Sequence, residues 1–281
     1  MVNFKGNITA KSEALLKVDN RGLNYGDAVF ETLRVSAGSV FFWEDHYFRL
    51  MASMRILRME IPMNFTLEFL EAEIHKTIQS LSSESKTFRV KVLVWRKLGG
   101  TYKPITNDID YLISCEVLEN PFYTLNDSFY EMELFKDHYI TSGLLSTLKS
   151  NNKIINVLGS IYASENDYDN CLLLNEKKQV VEALNGNIFL VNGTTIKTPP
   201  ISDGCLNGIL RKQLIDICDK IPEYTLVEAS VSPFELQKAD EMFITNVITG
   251  IQPVSKYRKK EYTTAVSKNL LAKLNVKARL G

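Results

Sequence analysis

The chain has 281 residues, its 33 Lys and Arg balance 33 Asp and Glu, and 45% of its residues are hydrophobic. That composition excludes a disordered or collagen-like chain and fits a soluble globular protein of one large domain or two modest ones, each with its own core. The balanced charge offers no positive excess for nucleic acid or an acidic membrane, and no run reaches the roughly 18 apolar residues that a membrane span requires.

From the N-terminus, Val2-Asn3-Phe4 before Gly6-Asn7 reads as a strand entering a tight turn. Residues 28–35 alternate as a strand, and the Gly38-Ser39 turn returns the chain through Val40-Phe41-Phe42 as an antiparallel hairpin. Residues 44–57 carry apolar side chains at helical spacing. Thr66 opens a second helix whose stripe is Leu67, Leu70, Ile74 and Ile78. Strands follow at 88–95 and 110–117. The turn formers Asn120-Pro121 and Asn126-Asp127-Ser128 mark an interdomain linker, dividing the chain into residues 1–119, the linker 120–128, and residues 129–281.

Beyond the linker the pattern predicts a strand at 132–135, a helix at 152–164, and strands at 171–174, 180–183, 188–191 and 194–197. Asn192-Gly193 is the strongest hairpin signal. A helix at 208–220, a strand at 224–227, a short helix after Pro233, a strand at 241–245 and a helix at 262–274 complete the reading. Hairpins outnumber strand-crossover-strand units, which points to two α+β domains. The basic stretch between Lys256 and Arg279 reads first as a solvated face.

Four cysteines without a CxxC pair, and an N-terminus without a signal-peptide pattern, suit a reducing cytoplasm. Three histidines make a histidine-rich metal site unexpected, and no metal is predicted. Taken one at a time, the polar residues have ordinary explanations. The run 19–27 is a demanding turn or a ligand loop. Lys149 is a surface lysine before a helix, Glu182 is the polar face of a half-buried strand, and Arg49 covers its helix with an aliphatic stem.

Their order along the chain is more specific. Asp19 to Asp27 leads through Phe30-Glu31; Asp45-His46-Tyr47-Phe48-Arg49-Leu50 follows, then Leu148-Lys149-Ser150-Asn151-Asn152. Val181-Glu182-Ala183 continues through Asn187-Ile188-Phe189, and Asn207-Gly208-Ile209-Leu210-Arg211 precedes Ala239-Asp240-Glu241. This sequence of blocks resembles the fold-type IV family of pyridoxal-phosphate enzymes, the class IV aminotransferases. The family includes branched-chain and D-amino-acid aminotransferases and 4-amino-4-deoxychorismate lyase.

The resemblance implies an α+β fold with a small N-terminal domain, a larger C-terminal domain around a distorted barrel, the cofactor between them, and a homodimer. It implies that Lys149 forms the Schiff base to pyridoxal 5'-phosphate and shuttles the substrate's α proton. It implies that Glu182 keeps the pyridine nitrogen protonated, and that Arg49 and the amides of Gly208, Ile209 and Leu210 bind the phosphate. Tyr25, Arg34 and Arg96 match substrate-side positions.

The reaction stays open between two members of the family. An aminotransferase would move an amino group between an amino acid and a 2-oxo acid. A lyase would release pyruvate and 4-aminobenzoate from aminodeoxychorismate, a step in folate biosynthesis. Ile154 stands where the branched-chain group has a tyrosine, Val247 where some relatives have a phosphate-binding threonine, and Thr101 where many lyases have an arginine. A non-catalytic cofactor-binding relative is the third reading.

Overall fold

Alternation of apolar side chains along two long strands sets the architecture of the N-terminal part. Val29, Leu33 and Val35 on one strand and Val90, Val92 and Val94 on its partner point the same way, into a core completed by Leu50, Met54, Leu70 and Ile74 of two amphipathic helices. The computed structural model describes residues 1–13, 16–126 and 128–280. Asp127, within the linker expected at 120–128, lies outside the described residues. Residues 1–122 with 149–152 form one compact unit, and residues 123–148 with 153–280 form the other.

The first unit runs β1 (Val2–Phe4), β2 (Asn7–Thr9), α1 (Arg21–Tyr25), β3 (Ala28–Ser36), β4 (Ser39–Val40), α2 (Trp43–Ile56), α3 (Leu67–Gln79), β5 (Thr87–Arg96) and β6 (Ile109–Val117). Its antiparallel sheet has the order β2-β1-β6-β5-β3-β4. The returning strand is shorter than the sequence suggests. Phe42 leaves it in a left-handed conformation (φ 55°) and turns the chain directly into α2. Thr66 caps α3 as expected, its hydroxyl accepting from the Phe69 N–H at 3.2 Å.

Residues 149–152 belong to this unit through backbone bonds to β3. The Phe30 N–H donates to the Lys149 carbonyl at 2.9 Å, and the Asn151 N–H donates to the Ala28 carbonyl at 3.1 Å. The helix expected from residue 152 therefore begins two residues later, after an extended segment whose polar backbone is spent on the sheet.

The second unit runs β7 (Glu131–Ile140), α4 (Ile154–Glu165), β8 (Asn170–Asn175), β9 (Val180–Ala183), β10 (Asn187–Asn192), β11 (Thr195–Thr198) and α5 (Ile209–Cys218). It continues with β12 (Thr225–Glu228), α6 (Pro233–Leu236), β13 (Glu241–Asn246), β14 (Gly250–Pro253), β15 (Lys256–Tyr257), β16 (Lys260–Glu261) and α7 (Ala265–Leu280). Two five-stranded sheets, β12-β11-β10-β13-β14 and β16-β15-β7-β8-β9, share one core. Met132, Leu134, Leu172 and Leu174 of one meet Ile188, Leu190, Met242 and Ile244 of the other, so the sheets curl around one core as a half-barrel, where the resemblance implies a distorted barrel. On the outer face of β7 and β8, α4 covers Phe135, Cys171 and Leu173. No helix among the described residues is long and apolar enough to cross a membrane.

Gly26 closes α1 with φ 64°, and a Cβ there would strike the Asn152 side chain. Gly26→Ala is expected to cost about 1–2 kcal/mol from the left-handed backbone alone, with a further loss from the displaced Asn152. Urea unfolding of the two proteins checks this.

Candidate active site

The backbone bonds to β3 determine where Lys149 stands. Its ammonium lies 4.6 Å from the centre of the Phe30 ring, and that of Lys91, from β5, lies at the same distance from the same ring. Lys91 is half-buried; burial first, and the Arg89 charge second, push its pKa below the ordinary lysine value. The face of β3 that presents Phe30 is thus cationic around an aromatic floor.

Glu31, the next residue, points to the opposite face of the sheet and is fully buried. Its Oε1 accepts from Arg49 Nε at 2.7 Å, and its Oε2 accepts from Arg49 Nη2 at 2.5 Å; His46 Nδ1 lies 2.7 Å from the same Oε2. Burial alone would raise the Glu31 pKa. The Arg49 charge and the hydrogen bonds of His46 and Arg49 outweigh it and bring the carboxyl down to about 2. His46 moves down from its ordinary value chiefly because it is buried. The Glu31 hydrogen bond and charge oppose this, and the charges of Arg49 and Lys149 add to it. His46 Nε2 has no hydrogen-bond partner among the described residues. His46 and Arg49 are three residues apart and so share a face of α2.

Beside α1, Asp27 bridges two buried arginines. Arg21 Nε and Arg96 Nε each donate to its Oδ2 at 2.9 Å. Arg21 then spans four successive carbonyls, Gly99, Gly100 and Thr101 from Nη1 and Tyr102 from Nη2. Arg96 completes its set with the carbonyls of Leu57 and Arg58, Asn107 Oδ1 and Asp27 Oδ1. All five of its N–H groups are thereby engaged within the first unit. Arg34 is likewise buried, donating to the carbonyls of Asn120 and Phe122. Tyr25 is partly exposed between the Arg21 guanidinium, 4.9 Å from its ring, and the Tyr102 ring at 5.8 Å.

In the second unit Glu182 is buried on β9, and its Oε2 accepts from the Leu206 N–H at 2.8 Å. The Leu206 carbonyl accepts from Asn187 Nδ2 at 2.9 Å, so both of its backbone polar groups are tied down just ahead of α5. Gly208 caps α5 with no side-chain hydrogen bond, leaving the amides of Ile209 and Leu210 in an uncapped first turn that suits an anion. The Asn187 side chain packs so closely on Gly208 that a Cβ there would collide with it. Burial pushes the neighbouring Cys205 thiol up to about 12, which marks it as inert.

The first unit thus presents a lysine amine and an arginine, and the second a buried carboxylate and an uncapped helix start, groups whose chemistry suits an aldehyde, a phosphate and a basic ring nitrogen. The two-unit α+β fold with its curled sheet core is that of the fold-type IV, pyridoxal-phosphate-dependent proteins. The sequence pattern of the amino-transferase class IV family matches residues 28–257, and the chain belongs to that family. It is 29% identical over 254 residues, 90% of this chain and 86% of the relative, to a protein of Methanocaldococcus jannaschii provisionally named a branched-chain-amino-acid aminotransferase. It is 24% identical over 268 residues, 90% and 86% of the two chains, to a D-alanine aminotransferase of Listeria monocytogenes. The fold is similar to that of the branched-chain aminotransferase of Thermoproteus uzoniensis solved with norvaline, at a TM-score of 0.86 and 23% identity over 97% and 92% of the chains.

Sequence reasoning quotes Glu31 and His46 without giving them a role. The i, i+3 spacing of His46 and Arg49 was the available signal. Both Glu31 and His46 have folded pKa values below their ordinary 4.5 and 6.5. The folded state therefore binds fewer protons than the unfolded one, and stability is lost as pH falls, first below about 6.5 through His46 and then below about 4.5 through Glu31. Thermal melts between pH 4 and 8 are expected to show this decline, and His46→Gln is expected to flatten the part of it that sets in below about pH 6.5.

Proposed function

We propose that this protein is an aminotransferase that moves an amino group between an amino acid and a 2-oxo acid, with Lys149 as its reactive amine. The observation that carries the reading is the anchoring of Lys149 on β3, which fixes the amine over Phe30 instead of leaving it on a mobile surface segment. Pyridoxal phosphate, when bound, supplies an aldehyde for that amine and an electron sink for the substrate's α carbon.

The chain's own residues do the rest. Lys149 would hold the cofactor through its amine, and the same amine would carry the proton to and from the substrate's α carbon. Glu182, buried and oriented by the Leu206 N–H, holds a proton on the ring nitrogen by ion pairing. Arg49 and the first-turn amides of α5 bind the phosphate. Tyr25 faces the substrate.

A visible absorbance scan of the protein loaded with pyridoxal phosphate, before and after single additions of L-glutamate, L-alanine, branched-chain L-amino acids and their D-enantiomers, tests this. Conversion to the spectrum of the pyridoxamine form is expected and identifies the donor. The M. jannaschii relative's name favours a branched-chain donor and the Listeria relative's favours D-alanine. A bound cofactor that none of these compounds converts would replace this reading by the lyase one, with aminodeoxychorismate as the compound to add. A cofactor that no compound in either series alters would identify a binding relative without turnover. Lys149→Ala is expected to abolish turnover, and Glu182→Gln to bind the cofactor but slow the half-reaction by about a hundredfold or more.

The working unit is a homodimer in this reading, housed in a reducing cytoplasm that suits its four free thiols. Support comes from α4, where Ile154, Val157 and Ile161 are 67%, 50% and 48% exposed along one helical face. Ile161→Glu is expected to shift the protein toward monomer in light scattering.

A further inference from the structure

Glu31 is a buried carboxylate that accepts from both Arg49 and His46, and nothing in the proposed chemistry uses it. A buried ion pair contributes little to stability, because desolvation offsets the attraction. A reason for retaining one here lies in what its partners do. Its neighbour Phe30 carries the ammonium of Lys149 on one face of β3, while Glu31 grips the Nε and Nη2 atoms of Arg49 on the other. Consecutive residues of one strand thus register the reactive amine and the arginine assigned to the phosphate. His46, bonded to the same Oε2 as Arg49 Nη2, stops the carboxylate from rotating. The Arg49 carbonyl, held by Ser53 Oγ at 2.7 Å, steadies the other end of the residue.

We propose that Glu31, braced by His46, is a positioning residue that sets the reach of Arg49 from Lys149 and thereby selects cofactors that carry a phosphate. The inference rests on the function proposed above for Lys149 and Arg49.

The test compares pyridoxal phosphate with pyridoxal, which keeps the aldehyde and lacks the phosphate. Cofactor-free wild-type protein and Glu31→Gln are titrated with each, followed by tryptophan fluorescence and by visible absorbance. Glu31→Gln is expected to weaken pyridoxal phosphate by about tenfold or more and to leave pyridoxal within about twofold of wild type. Unchanged affinity for pyridoxal phosphate would overturn the proposal. Equal weakening of both compounds would also overturn it, since that is what general damage to the fold produces. If Glu31→Gln does not fold, His46→Gln is titrated in its place and judged by the same two outcomes. Failure of the wild-type protein to take up either compound would instead overturn the function itself, and the inference with it.

Discussion

Two backbone hydrogen bonds between β3 and residues 149–152 are the constraint on which the proposed chemistry hangs. A lysine four carbons long has many rotamers, and on a loop its amine would sweep a wide volume. Pairing the main chain on both sides of Ser150 with β3 removes the backbone part of that freedom. The Phe30 ring then receives the end of the side chain. The same strand is held at its other edge by β5 along nine paired positions, so the lysine inherits the stiffness of a whole sheet. Strand pairing, which usually serves stability, here transfers precision to one side chain.

The buried charges of the first unit obey a common rule. Arg21, Arg49 and Arg96 are each matched to a carboxylate, and Arg21, Arg96 and Arg34 also bind backbone carbonyls, so charge-assisted bonds offset the cost of desolvation. Glu31 receives Arg49 and His46, and Asp27 receives Arg21 and Arg96. The second unit uses a lighter device. There one residue, Leu206, has its N–H and C=O claimed by Glu182 and Asn187, so a backbone amide orients the buried carboxylate.

Much of this was legible in the sequence because it is written in short-range terms. Alternation placed β3, β5 and β6 within a residue or two, Asn192-Gly193 marked the β10–β11 hairpin, and Thr66 announced α3. Three kinds of feature were not legible. The strands β15 and β16 are two residues each, too short for any period. Phe42 takes a backbone conformation that bulky side chains avoid, so propensity argues against the turn it makes. The fate of Arg96 depends on Asp27, Leu57, Arg58 and Asn107, groups as far as 69 positions away. Family resemblance supplied a position for that arginine but not its partners within the chain.

The grip of Arg21 on four successive carbonyls has a consequence for how this protein could diverge. Carbonyl oxygens are common to all residues, so the guanidinium fixes the path of the loop at 99–102 without reading its side chains. Thr101, Tyr102 and Lys103 are exposed in the described chain and can be exchanged while the main chain keeps its course. Gly99 and Gly100 are the exceptions, because both take a positive φ and a Cβ would run into Ile105 at the first and the Lys103 carbonyl at the second. A buried cation of this kind separates the shape of a loop from its chemistry, and it gives selection a surface whose side chains can be rewritten without refolding the scaffold beneath.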